Sequence, residues 1–93
     1  MYDRILARIQ EHIRQGEYVL TDHVRDEMDE DDFTLYDLEQ GILSGTIVER
    51  QRDLVTREVK YRISGTATDD REMEIIVKFS FNRRLVIITV YEL

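Results

Sequence analysis

The amino-acid sequence predicts an α+β fold, helices first and strands afterwards. Three observations predict it. Apolar residues recur at helical spacing through the first half of the chain, at a spacing of two through the second half, and on both faces of the closing run Leu85-Val86-Ile87-Ile88-Thr89-Val90. A strand apolar on both faces belongs in the interior of a sheet, so the last residues are expected to be core. Short links between consecutive strands imply a four-stranded antiparallel meander with the N-terminal helices packed on one face. Residues 1–93 are read as a single domain.

The elements follow in order. Tyr2, Ile5, Leu6, Ile9 and Ile13 fall on one helical face and Arg4, Arg8, Glu11 and Arg14 elsewhere, which predicts a helix over 2–15 ended by Gly16. After the extended Tyr18-Val19-Leu20, Thr21 or Asp22 caps a helix over 22–30 that buries Val24 and Met28. Thr34 caps a third helix over 35–43, with Asp37 at the capping-box position and Gly45 as its stop. Strands are then expected over 46–52, 57–65, 72–80 and 84–92. In the second, Val59, Tyr61 and Ile63 alternate with Lys60, Arg62 and Ser64; in the third, Met73, Ile75, Val77 and Phe79 alternate with Glu74, Ile76, Lys78 and Ser80. The stretch Gly65 to Asp70 reads as the longest irregular piece and the most mobile loop.

Composition narrows the function. With no cysteine, disulfides and thiolate metal sites are excluded, and no cofactor or metal motif is present. The net charge is −7, and it is uneven: residues 1–45 hold 12 acids against 4 bases, residues 46–93 hold 8 acids against 9 bases. Such a balance argues against loose binding of nucleic acid, while a local basic face on the second half stays open. Met1 to Gln15 is charged throughout and does not read as a signal peptide, and no apolar run reaches the roughly 18 residues of a span. A cytoplasmic protein with no membrane partner is expected.

Several side chains are candidates for chemistry. His23, near a helix start, offers an imidazole for acid or base work; its alternative role is hydrogen bonding to the sheet. Arg25 could meet phosphate or remain a solvated helix arginine. The run Asp26, Glu27, Asp29, Glu30, Asp31 and Asp32 lacks the glycine and distal glutamate of a calcium loop and is read as a solvated helix end, prone to fray or facing a basic partner. Arg50, Arg52, Arg57, Lys60, Arg62, Arg71, Lys78, Arg83 and Arg84 are material for a phosphate face, or for cross-strand pairs with Glu49, Glu58 and Glu74. Tyr61 and Tyr91 could hold a substrate or pack at the rim of the core.

Together, Leu20-Thr21-Asp22-His23-Val24 through Glu27-Met28, the stretch Gly45 to Glu49, Arg71 to Val77, and the ending Ile87-Ile88-Thr89-Val90-Tyr91-Glu92 resemble domain-of-unknown-function family 4258 over about residues 18–93. The resemblance implies a RelE-like fold, similar to metal-independent ribonuclease toxins in which the RNA's own 2′-hydroxyl attacks the phosphate. On that reading His23 is the acid or base, Arg25 and Arg71 meet phosphate, and Tyr61, Glu74 and Tyr91 line the cleft. The implied partners are RNA or a cognate antitoxin-like protein, and an exposed strand could support a homodimer. Three departures stand out: the family's Arg before Met is Glu27 here, its second Arg is Asp31, and its strand His is Glu74. Acids there would repel an RNA phosphate, which implies impaired activity. The alternative reading is a non-catalytic protein-binding module with an acidic helical face.

Overall fold

Three helices and five strands make up the computed structural model, which describes residues 1–93. In chain order they are α1 (Asp3–Arg14), β1 (Tyr18–Leu20), α2 (Asp22–Glu30), α3 (Leu35–Leu43), β2 (Thr46–Arg52), β3 (Val59–Thr66), β4 (Glu72–Phe79) and β5 (Leu85–Glu92). The fold is α+β. Its sheet has five strands in the order β1-β5-β4-β3-β2, and it is mixed. β2 to β5 form an antiparallel meander, whereas β1 runs parallel to β5, with Tyr18, Val19 and Leu20 opposite Leu85, Val86 and Ile87.

This corrects the four-stranded antiparallel expectation. Three residues are too few to display a period of two, so β1 carries no alternation signal of its own. The strand is nonetheless needed. In a meander of four, β5 would be the border, its apolar side chains and a row of main-chain groups open to water. With β1 alongside, β5 is interior. A register shift between Ile76 and Val77 leaves Ile88 as an extra residue in β5. That bulge lets Leu85, Ile87 and Val90 all face the core, each fully buried.

The helices cover one face of the sheet. Ile9 and Ile13 of α1, Val24 and Met28 of α2, and Leu38 and Ile42 of α3 join Ile63, Met73, Ile75, Val77, Leu85, Ile87 and Val90 in one buried cluster. Full burial of each such side chain stabilises by about 1.5–3 kcal/mol before entropy is counted. Gly16 adopts a φ of 69° and ends α1. Gly45, expected as a left-handed stop, does not have a positive φ; it is small because a Cβ there would lie 2.6 Å from the Gly41 carbonyl oxygen. Gly65 is tighter still, since a Cβ there would fall 1.8 Å from the same oxygen, so α3 rests directly on the backbone of β3.

Asp37 then locks α3 in place. Thr34 and Asp37 form a reciprocal capping box, and Asp37 Oδ1 also accepts from the Thr68 N–H at 3.0 Å and from the Thr68 hydroxyl. The turn after β3 is thereby tied to a helix and Ala67 within it is buried, and Gly65 and Thr66, expected to be irregular, belong to β3. The loop from β2 to β3 projects, with Leu54 and Val55 at 90% and 92% exposure.

Burial opposes ionisation of Asp37, but the hydrogen bonds from Thr68 and Thr34 outweigh it and hold the carboxyl at about 2. A carboxyl lowered in the folded state contributes stability that is whole above the unfolded value near 4. That contribution, about 2 kcal/mol, disappears as pH falls through about 2. Asp37→Asn is therefore expected to lower unfolding free energy by about 1–3 kcal/mol at neutral pH. Urea titrations at neutral pH and at pH about 2 check it: the gap between variant and wild type should narrow in acid, and an unchanged gap would refute the assignment.

Candidate functional site

The site suggested by the sequence lies where α2 meets β5. β1 pairs with β5 only as far as Ile87, and α2 takes over from there. Thr21 donates its N–H to the Ile87 carbonyl and its hydroxyl to the Ile88 carbonyl, both at 3.3 Å, while its oxygen accepts the Val24 N–H as the N-cap of α2. Farther along, Glu27 Oε1 accepts the Val90 N–H and Asp31 Oδ2 accepts the Glu92 N–H, each at 3.1 Å. The spacing explains the fit. Four helical residues rise about 6 Å and two strand residues about 6.7 Å, so carboxylates at i and i+4 meet alternate N–H groups of a strand lying alongside.

Arg71 closes the far end of this seam. It donates to the Asp31 carbonyl at 2.6 Å, the Asp32 carbonyl at 2.9 Å, Glu92 Oε1 at 3.1 Å and Asp69 Oδ2 at 2.8 Å. Its guanidinium also lies 4.2 Å from the centre of the Phe33 ring. A cation on the last carbonyls is what a helix C-terminus favours. The acidic end of α2 is therefore tied down, where charge crowding alone predicted fraying.

On the uncovered face of the sheet, Glu74 and Tyr91 are cross-strand partners, and Arg62 reaches Glu74 from β3. Arg62 Nη1 lies 2.8 Å from both Glu74 oxygens, Arg62 Nε lies 3.1 Å from Glu49 Oε1, and the Tyr91 hydroxyl donates to Glu74. The Tyr91 hydroxyl, then Arg62, hold the Glu74 carboxyl below the usual carboxylate range. The same Glu74 raises the Tyr91 phenol, and Glu74 with Glu49 raises the guanidinium. Nearby, Lys78 pairs with Glu58 at 3.0 Å.

Of the six residues proposed from the sequence, only Glu74 and Tyr91 touch each other. His23 is two-thirds exposed on the first turn of α2, its Nε2 3.3 Å from Glu27 Oε1. Arg25 is exposed on the same helix, beside a surface hollow with Leu20, Met28 and Leu35. Arg71 is committed to the end of α2. Tyr61 lies opposite Val77 and packs against the core, so it does not share a face with Glu74 and Tyr91. The expected cleft of Tyr61, Glu74 and Tyr91 does not form, because neighbouring strand positions alternate between faces. Arg62 is the hub of the open face, and its pairs with Glu49 and Glu74, like that of Lys78 with Glu58, are the cross-strand alternative that the sequence offered for these bases. The signal was an even-numbered base on β3 and an even-numbered acid on β4; the register that joins them was not legible.

Two sets of substitutions check these roles. In Glu27→Ala and Asp31→Ala variants, amide exchange should accelerate at Val90 and Glu92 respectively, while Ile75 and Val77 on β4 keep their protection; Glu27→Gln, which retains an acceptor oxygen, should largely preserve it at Val90. Unaltered exchange in the alanine variants would refute the capping role. Glu74→Gln should lower unfolding free energy by about 1–2 kcal/mol by chemical denaturation, because it weakens the bonds to Tyr91 and Arg62 together.

Comparison with known proteins bears on the family alone. Neither a curated protein nor a solved structure matched the chain. Residues 20–92 match the family described as Domain of unknown function (DUF4258). That span takes in the His-bearing α2, its seam with β5 and the complete meander, so the chain belongs to the DUF4258 family.

Proposed function

We propose that this chain is a RelE-like relative of ribonuclease toxins that works by binding a basic protein surface and does not cut RNA. The observation that carries this reading is the use made of the three departures from the family pattern. Glu27 and Asp31 cap the N–H groups of β5, and Glu74 anchors Arg62 and Tyr91. Where the pattern supplies cations or imidazole, this chain has carboxylates built into its fold. The cations that do approach, Arg62 and Arg71, are each engaged by two carboxylates.

The acids left over gather at one end of the sheet. Segments 29–32 and 66–72 together hold seven acids and one base, and Asp29, Glu30, Asp70 and Glu72 enter no ion pair. Such a surface attracts a basic partner and repels nucleic acid.

A second reading, the ribonuclease itself, is favoured by one feature. His23 stands beside a carboxylate that is fixed by the Val90 N–H, an arrangement that orients an imidazole for proton transfer. One experiment separates the two. Wild type and His23→Ala are expressed in a bacterial host, and each purified protein is incubated with labelled RNA. Equal growth and intact RNA are expected in both; His23-dependent cleavage would overturn the binding reading. For the binding reading, a lysine-rich peptide should bind several-fold more weakly to the Asp29→Asn, Glu30→Gln, Asp70→Asn, Glu72→Gln variant, and more weakly at high salt.

A further inference from the structure

The opposite end of the sheet has a different character. There the β2–β3 loop and the β4–β5 loop stand side by side: residues 56–58, Ser80 and Phe81 line one groove of about 470 Å³ together with Ile5 and Arg8 of α1. Segments 50–60 and 78–84 hold seven bases and two acids, the reverse of the far end. Of these bases only Lys78 enters an ion pair. At the loop tips, Leu54, Val55 and Phe81 are exposed at 90%, 92% and 107%. Three large apolar side chains left almost wholly in solvent contribute nothing to the buried core.

We infer that this end docks on an anionic lipid surface, with Leu54, Val55 and Phe81 entering the acyl boundary and Arg52, Arg57, Arg83 and Arg84 meeting headgroup phosphates. The chemistry favours lipid over a nucleic acid. Bases stack on aromatic rings, so a nucleic acid would use Phe81 but leave Leu54 and Val55 in water. A fluid interface accepts all three, and flanking arginines are the matching charge. The net charge of −7 does not oppose this. The acidic end lies about 23 Å away along the eight residues of β4, more than two Debye lengths at physiological salt. Docking of this kind lies on the surface and needs no span; no helix here is long and apolar enough to cross a membrane.

The test is co-sedimentation of the full chain with phosphatidylcholine vesicles and with mixed phosphatidylcholine–phosphatidylglycerol vesicles. Binding is expected only to the mixed vesicles, weakening as salt rises. Arg83→Gln and Arg84→Gln should each reduce partitioning by about fivefold. Leu54→Ser, Val55→Ser and Phe81→Ser combined should abolish it while leaving the circular dichroism and melting temperature unchanged, since none of the three is packed. Three results would overturn the inference: no preference for the anionic vesicles, binding indifferent to the loop variants, or retention of a single-stranded oligouridine in place of vesicles. Concentration-dependent self-association lost in the loop variants, without vesicle binding, would instead assign these tips to a second copy of the chain.

Discussion

The structure depends on keeping the main chain of β5 hydrogen-bonded along its whole length. β5 buries Leu85, Ile87 and Val90 at the centre of the core, so the strand cannot move outward to find water. β4 satisfies one side. The other side is met in three stages, by β1 as far as Ile87, by Thr21 at Ile87 and Ile88, and by Glu27 and Asp31 at Val90 and Glu92. A short parallel strand and the side chains of a helix together replace one full-length neighbour, and α2 is held against the sheet as a result.

That constraint decides how the acidic residues of α2 are to be understood. An unsatisfied buried N–H costs about 1–3 kcal/mol, whereas an exposed surface ion pair contributes under about 1 kcal/mol. At position 27, whose partner is the N–H of fully buried Val90, the backbone requirement is the larger of the two; the bond from Glu92 to Asp31 lies at the exposed end of the seam. An arginine at either place could attract an anion but could accept no hydrogen bond from β5. The fold takes up these positions, and Arg71 shows the same pattern, since its guanidinium is engaged by the two carbonyls that end α2.

Charge and exposure divide the molecule along its strands. The turn after β3 is fastened by Asp37 and Thr68, and it lies at the acidic end with the close of α2. The two hairpin loops at the basic end carry their apolar tips into solvent, and Arg57 and Arg83 there have φ values of 63° and 65°. Left-handed backbone at a non-glycine residue is disfavoured by about 1–2 kcal/mol, so these loop shapes are held by their hydrogen bonds, Asp53 N–H to Glu58 O and Ser80 N–H to Arg84 O among them. On the open face between the two ends, one cation, Arg62, is shared by two carboxylates, Glu49 and Glu74.

What the sequence determined by itself was local. α2 over Asp22–Glu30, α3 over Leu35–Leu43, the Thr34–Asp37 capping box and the alternation of β3 and β4 all arise from residues within about four positions of one another, and each could be read in order. The α+β class followed from the change of period. Membership of the β1 segment in the sheet, the bulge at Ile88, the separation of Tyr61 from Tyr91 and the duties of Glu27, Asp31 and Arg62 were settled only by the tertiary structure. Each of these joins residues 10 or more positions apart, through a register or a helix placement. A carboxylate on a helix carries the same local pattern whether it faces water or a strand's N–H, and packing alone tells the two apart.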